Sequence, residues 1–174
     1  MIYFGRDVWL GPLCRENLGL YRAERNDWEI WKWCRQNDVI SQEAHERWFA
    51  RQDADPKIRM YEIMDKLAGP PVGVCGLTDI DHVNQRAEFS LYVFAAAQGN
   101  GIGRAALETL ISHGFSNLNL CTIWGETFDK NPALKMFLNL GFTKEGTRRN
   151  FYYKDGKFID AHLVSITRKE WRLK

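Results

Sequence analysis

The chain lacks most of the features that fix a protein's compartment or chemistry. No run of 18 apolar residues occurs in its 174 residues, so no segment reads as a membrane-spanning helix. The opening Met1-Ile2-Tyr3-Phe4-Gly5-Arg6-Asp7 reaches an acid early and leads into no apolar stretch, so no secretory signal is expected. Cys14, Cys34, Cys75 and Cys121 stand far apart without C-x-x-C spacing, and His45, His82, His113 and His162 lack the spacing of metal ligands. Neither a disulfide framework nor a metal centre is expected, and reduced thiols fit a cytoplasmic protein. Charge of one sign is also missing: 24 Lys and Arg against 22 Asp and Glu leave a net +2, which gives no electrostatic reason to bind nucleic acid. There is no internal repeat, low-complexity tract or linker, so residues 1–174 are expected to form one domain.

What is present is an ordinary globular composition, 45% hydrophobic and 26% charged, enough for a real core. Val8–Leu13 reads as a first strand and Glu16–Arg25 as a helix. Asp27–Arg35 carries Trp28, Trp31 and Cys34 at helical spacing, and Ser41 caps a further helix with Ala44, Trp48 and Phe49 on its apolar face. Strands are expected over Ile58–Met64, Val72–Ile80 and Ala87–Phe94, with Gly69-Pro70-Pro71 turning the backbone between the first two. In the third, Phe89, Leu91 and Val93 share one face, and Ser90 and Tyr92 the other. A helix over about Ile102–Phe115 places Ile102, Ala106 and Leu110 together. Leu120–Thr127 is a strand, Asn131-Pro132 opens a helix that Gly141 closes, and Phe142–Tyr153 and Phe158–Thr167 pair around an Asp155-Gly156 turn.

The densest signal is Gln98-Gly99-Asn100-Gly101-Ile102-Gly103-Arg104, directly before the Ile102 helix. Glycines at alternate positions admit close backbone approach, and the helix behind them offers free N–H groups at the positive end of its dipole. Together they make a phosphate or pyrophosphate site. No Gly-Lys-Ser/Thr follows, so this is not a Walker loop. Its place in the middle of the sequence and its G-x-G-x-G spacing make it a poor Rossmann fingerprint.

Gln98, Gly101 and Gly103 fill the Gln/Arg-x-x-Gly-x-Gly/Ala pattern, and the loop resembles the acetyl-coenzyme A pyrophosphate loop of the GNAT N-acetyltransferases. Asn131-Pro132-Ala133 through Gly141-Phe142 resembles the second motif of that family. Ile80 to Phe89 looks like the hairpin of its ribosomal-protein-alanine and spermidine branch. Arg25-Asn26-Asp27 and Ile40 to Phe49 are similar to the amino-sugar-nucleotide acetyltransferases. The resemblance covers about residues 8–168. It implies an α/β (α+β) fold, a mixed, mostly antiparallel sheet of about seven strands flanked by helices. The strand before the loop helix would splay from the strand after it.

The resemblance also implies roles. The backbone of Gly99, Asn100, Gly101, Ile102, Gly103 and Arg104 would hold the pyrophosphate, with Arg104 or Lys130 adding charge. The backbone of Leu91, Tyr92 and Val93 would hold the pantetheine arm and acetyl carbonyl. Asn131 would contact the cofactor or serve as a helix cap. Glu88 and Glu126, on the strands flanking the site, are the candidate general bases, with Asp79 and Asp81 as further candidates. Phe137 stands where the family often carries a tyrosine that protonates the departing thiolate; water or a residue such as Tyr92 would then have to donate. The N-terminal helices and last hairpin, where Trp28, Trp31, Trp33, Trp48 and Phe49 crowd, would form the acceptor pocket. The expected co-substrate is acetyl-CoA, without a metal. The expected acceptor is an amino-sugar nucleotide, a polyamine or a protein N-terminus, with a homodimer as an open assembly. The alternative is a non-catalytic acyl-CoA-binding module.

Overall fold

A computed structural model of the protein describes residues 3–4, 8–65 and 69–172, so the rest of the opening segment lies outside the described residues. One sheet organises them. Its strands are β1 (Tyr3–Phe4), β2 (Trp9–Pro12), β3 (Arg59–Met64), β4 (Gly73–Asp81), β5 (Arg86–Val93), β6 (Thr122–Phe128), β7 (Thr143–Lys154) and β8 (Lys157–Thr167). The order across the sheet is β1-β2-β3-β4-β5-β6-β8-β7. Every pairing is antiparallel except β5 with β6. The eighth strand beyond the expected seven is the two-residue β1.

The helices are α1 (Leu18–Asn26), α2 (Trp28–Trp31), α3 (Gln42–Ala54), α4 (Ile102–Ser116), α5 (Ala133–Asn139) and α6 (Arg168–Arg172). Helix α3 starts where its cap dictates, with the Ser41 side chain accepting from Ala44 N–H at 3.1 Å. The helix expected over Asp27–Arg35 is a single turn. Its Asp27 cap accepts from Glu29 N–H at 2.8 Å, and the backbone then leaves the helix to carry Trp33 to Gln36 elsewhere. Among the described residues no helix is long and apolar enough to cross a membrane, and no group of His, Cys, Asp or Glu gathers as a metal site.

Period-two alternation in β5 decides the layers. Ala87, Phe89, Leu91 and Val93 pack with Ala106, Leu107, Leu110 and Ile111 of α4 and with Phe137 of α5. On the other face Tyr92 joins Tyr21, Val74 and Phe94 under α1. Helices therefore cover both faces of the sheet centre.

The parallel pair β5–β6 holds register only at Arg86↔Thr122, Ala87↔Ile123 and Glu88↔Trp124. Beyond that, β5 stays paired to β4 as far as Val93, and β6 stays paired to β8 as far as Phe128. The two strands diverge, as the resemblance implies. A Cβ on Gly125 would lie 2.5 Å from the Phe89 ring, so the missing side chain of β6 is what lets that ring wedge the strands apart.

One buried titration follows from this packing. His113 on α4 bonds Tyr61 Oη of β3 at 3.1 Å, and burial lowers its pKa to about 4. Unfolding restores an ordinary histidine near 6.5, so below that pH the unfolded state binds the extra proton. Stability is expected to fall by about 1 kcal/mol per pH unit between roughly 6.5 and 4. Urea melts at pH 7 and pH 5 check this; in a folded His113→Gln variant the fall should be smaller.

Candidate active site

The divergence opens a cleft of about 720 Å³, a normal size for a small-ligand site. Its floor is the free edge of β5 from Phe89 to Val93. One end is the glycine turn. Gly99 and Gly101 adopt φ of 81° and 79°, the left-handed region where a Cβ is penalised. No side chain caps α4, so its first N–H groups face the cleft without a side-chain partner. Gly103 fits against β5, where a Cβ would lie 3.3 Å from Val93 Cγ2. Gln98 closes the turn by donating from Nε2 to the Val93 carbonyl at 2.9 Å.

Thus Leu91, Tyr92, Val93, Gln98, Gly99, Gly101, Ile102, Gly103 and Arg104 line one continuous surface. Asn100 is exposed and lies outside the lining, as does Lys130. Arg104 bonds Glu108 at 3.2 Å along the exposed face of α4, which part-neutralises it. Asn131 lines the cleft while its Oδ1 accepts from Ala133 N–H at 2.9 Å, so it acts as a helix cap with its amide nitrogen still available.

Phe137 is buried, edge-to-face on Phe89 at 5.0 Å and near Phe142 at 5.9 Å, with part of the ring against the cleft. Tyr92 does not replace it in position, because the two rings occupy opposite faces of β5. Arg25 lies 5.2 Å over the Tyr92 ring, and burial pushes the phenol's pKa well up, so it stays protonated.

At the other end of the cleft the carboxylates of Glu88 and Glu126 are 6% and 3% exposed, on the face away from α4. Arg35 bridges them. Its guanidinium pairs with Glu88 Oε1 and, through Nε at 3.0 Å, with Glu126 Oε1. Arg148 holds Glu126 Oε2 at 3.0 Å, and the Tyr152 hydroxyl donates to Oε1. Burial and that bond push the Tyr152 phenol up to about 12, keeping it a donor at neutral pH. Burial opposes the charge on Arg35, and Glu88 and Glu126 outweigh it. Lys154 fixes the Arg35 segment: its Nζ donates to the carbonyls of Cys34, at 2.8 Å, and Gln36, and lies 3.5 Å over Trp31.

Arg35, Arg148, Tyr152 and Lys154 are additions that sequence reasoning misses. Their partners are far away in sequence, and no local motif marks them. Asp79 and Asp81 lie outside the cleft: Asp79 sits at a bulge with φ 49°, and Asp81 caps the β4–β5 turn through Val83 and Asn84. The tryptophans scatter. Trp33 lines the cleft, Trp28 is 55% exposed and stacks on Trp31, and Trp48, on α3, lines a separate, smaller cavity.

An uncapped helix start behind a glycine turn, an open strand edge and a buried carboxylate pair share one cleft in one splayed sheet, the arrangement that the acetyltransferase resemblance implies. The chain belongs to the GNAT family: the acetyltransferase (GNAT) domain profile matches residues 7–143. It is 32% identical over 112 residues to an uncharacterized N-acetyltransferase of Bacillus licheniformis, covering 64% of this chain and 63% of that one. To the spermidine N(1)-acetyltransferase of Escherichia coli K12 it is 28% identical over 104 residues, covering 59% and 56%. The matches thus span about three fifths of these curated relatives. Spermidine N-acetyltransferase from Vibrio cholerae, solved with CoA and spermine, superposes with a TM-score of 0.90 at 22% identity over 95% of this chain and 98% of that one, which shows the shared fold.

Proposed function

We propose that the protein transfers the acetyl group of acetyl-CoA to a primary amine by direct attack. One observation carries this reading: the phosphate-type site at α4 and the carboxylates Glu88 and Glu126 open onto one cleft along the free edge of β5. Backbone N–H groups of residues 102–104 suit a pyrophosphate, and the unpaired edge of Leu91 to Val93 suits an amide-bearing arm and a thioester carbonyl. The amine nitrogen attacks that carbonyl, the C–S bond breaks, and CoA leaves as thiolate.

The cluster at the far end suits an amine. Arg35 already places its cationic guanidinium between Glu88 and Glu126. The proton of the attacking amine passes to a carboxylate oxygen directly or through one water. Glu126 is the better-held candidate, because Arg148 and Tyr152 orient it independently of Arg35. Phe137 has no proton to give, and Tyr92 faces the other side of β5, so we assign the proton that quenches the thiolate to water.

Phe137→Tyr tests that assignment. A well-placed general acid is worth about a hundredfold or more, so turnover should rise or hold. If the new hydroxyl turns into the Phe89–Phe142 cluster instead, stability should drop by about 1–3 kcal/mol. Steady-state kcat and thermal melts separate the two; a stable variant that binds acetyl-CoA and has no turnover would show that the sulfur needs an apolar neighbour.

The cleft lining carries charges of both signs. Glu29, Glu88 and Glu126 all line the cleft, as a polyamine site requires, but so do Arg25, Arg35, Arg104 and Trp33. A mass-spectrometric screen of amino-sugar nucleotides, polyamines and peptides with acetyl-CoA is expected to show acetylation of at least one class. CoA binding with no acetylated product would favour the binding-module alternative.

A further inference from the structure

A second cavity of about 210 Å³ lies under α3, and nothing in acetyl transfer itself accounts for it. It shares Arg25, Thr78, Ser90 and Tyr92 with the main cleft, so the two spaces adjoin across one wall. That wall follows β5. Glu88 and Ser90 point to the same face, about 7 Å apart at the rise of a strand. A molecule with its amine at Glu88 and Glu126 can therefore continue along the strand into the second space.

Two of its lining residues, His45 and Gln52, each carry a buried side-chain atom without a hydrogen-bond partner, Nδ1 and Oε1. Both are acceptors. Gln52 Nε2 donates to the Trp48 carbonyl at 2.7 Å, which orients the amide and leaves its oxygen without a partner. A neutral His45 ring offers one acceptor nitrogen. Burial, then Arg25 and Arg22, hold the ring neutral. Two acceptors call for a ligand with donors, because displacing water from them without replacing its bonds is costly.

Charge and shape narrow the donor. The charges acting on His45 are cationic, and among the described residues lining this cavity none is a carboxylate, so a second ammonium would be buried uncompensated. The Trp48 indole stacks on His45 at 4.9 Å and 14°, and Ile58 and Met60 complete an apolar slot for a flat group. We propose that this cavity receives the tail of the acceptor amine, and that the tail is an uncharged, planar, N–H-bearing group of the carboxamide class. The assignment rests on the acetyl-transfer reading above.

Three matched acceptor series test it: ω-aminoalkyl carboxamides, diamines and plain alkylamines of equal length, each with acetyl-CoA. Carboxamides should show kcat/KM at least about tenfold above both other series, the worth of one or two hydrogen bonds. Gln52→Leu should erase most of that margin with the calorimetric Kd for CoA unchanged, and Gln52→Glu should move the preference towards diamines. Diamines preferred by the unaltered protein, acetylation of all three series without preference, or a margin that survives Gln52→Leu would overturn the tail assignment alone. Acetylation of none would overturn the acetyl-transfer reading and this assignment with it.

Discussion

Glu126→Gln is expected to lower acetyl transfer by about a hundredfold or more while CoA affinity stays within about twofold. The amide keeps the shape of the carboxylate but cannot accept the proton of the attacking amine. It also unbalances its neighbours, since Arg35, Arg148 and Tyr152 all converge on this one residue. Arg35 and Arg148 are part-exposed, so water compensates much of that loss and the fold should survive. Glu88→Gln removes only one partner of Arg35 and should cost less. Rates for both variants across pH decide the matter: a base shows itself by loss of the acidic limb of the profile. Near-native turnover in both would mean that the amine is deprotonated elsewhere or arrives neutral.

Gly101→Val carries the second large effect, on affinity instead of turnover. At φ 79° any side chain strains the backbone by about 1–2 kcal/mol. No atom lies within 4 Å of the Cβ position, so the added group meets no packing and stands in open space at the turn. It blocks the approach of an anion to the first N–H groups of α4. Losing two charge-assisted hydrogen bonds there should weaken acetyl-CoA binding by about a hundredfold or more. Gly103→Val differs: its Cβ would press on Val93 at 3.3 Å, pushing α4 off the strand edge, and should cost stability as well. Calorimetry and thermal melts on both variants separate the two effects. Unchanged affinity in a folded Gly101→Val protein would remove the turn from the cofactor site.

The glycine-turn half of the cleft is legible in the sequence because it is local. Gln98 to Arg104 and the strand before them lie within a few residues of one another, and period-two alternation assigns the faces of β5 correctly. The carboxylate cluster is half legible. Glu88 and Glu126 stand out from their strands, but Arg35 is 53 residues from Glu88, and Arg148 and Tyr152 lie 22 and 26 residues from Glu126. The sheet order, with β8 and β7 folded back beside β6, brings Arg148 and Tyr152 to Glu126, and Lys154 holds the segment that carries Arg35. The sequence pattern overstates helix α2 because Trp28, Trp31 and Cys34 keep helical spacing. Lys154 instead holds the carbonyls of Cys34 and Gln36 in an irregular segment, a tertiary contact that overrides local pattern. β1 has two residues, too few to show a period.

The most direct test of the account is the release of free CoA thiol from acetyl-CoA, followed with and without an amine acceptor. The account predicts release that requires the amine and is matched mole for mole by acetylated product. Release that is the same without amine, or acetyl-CoA binding with no release for any acceptor, would contradict it.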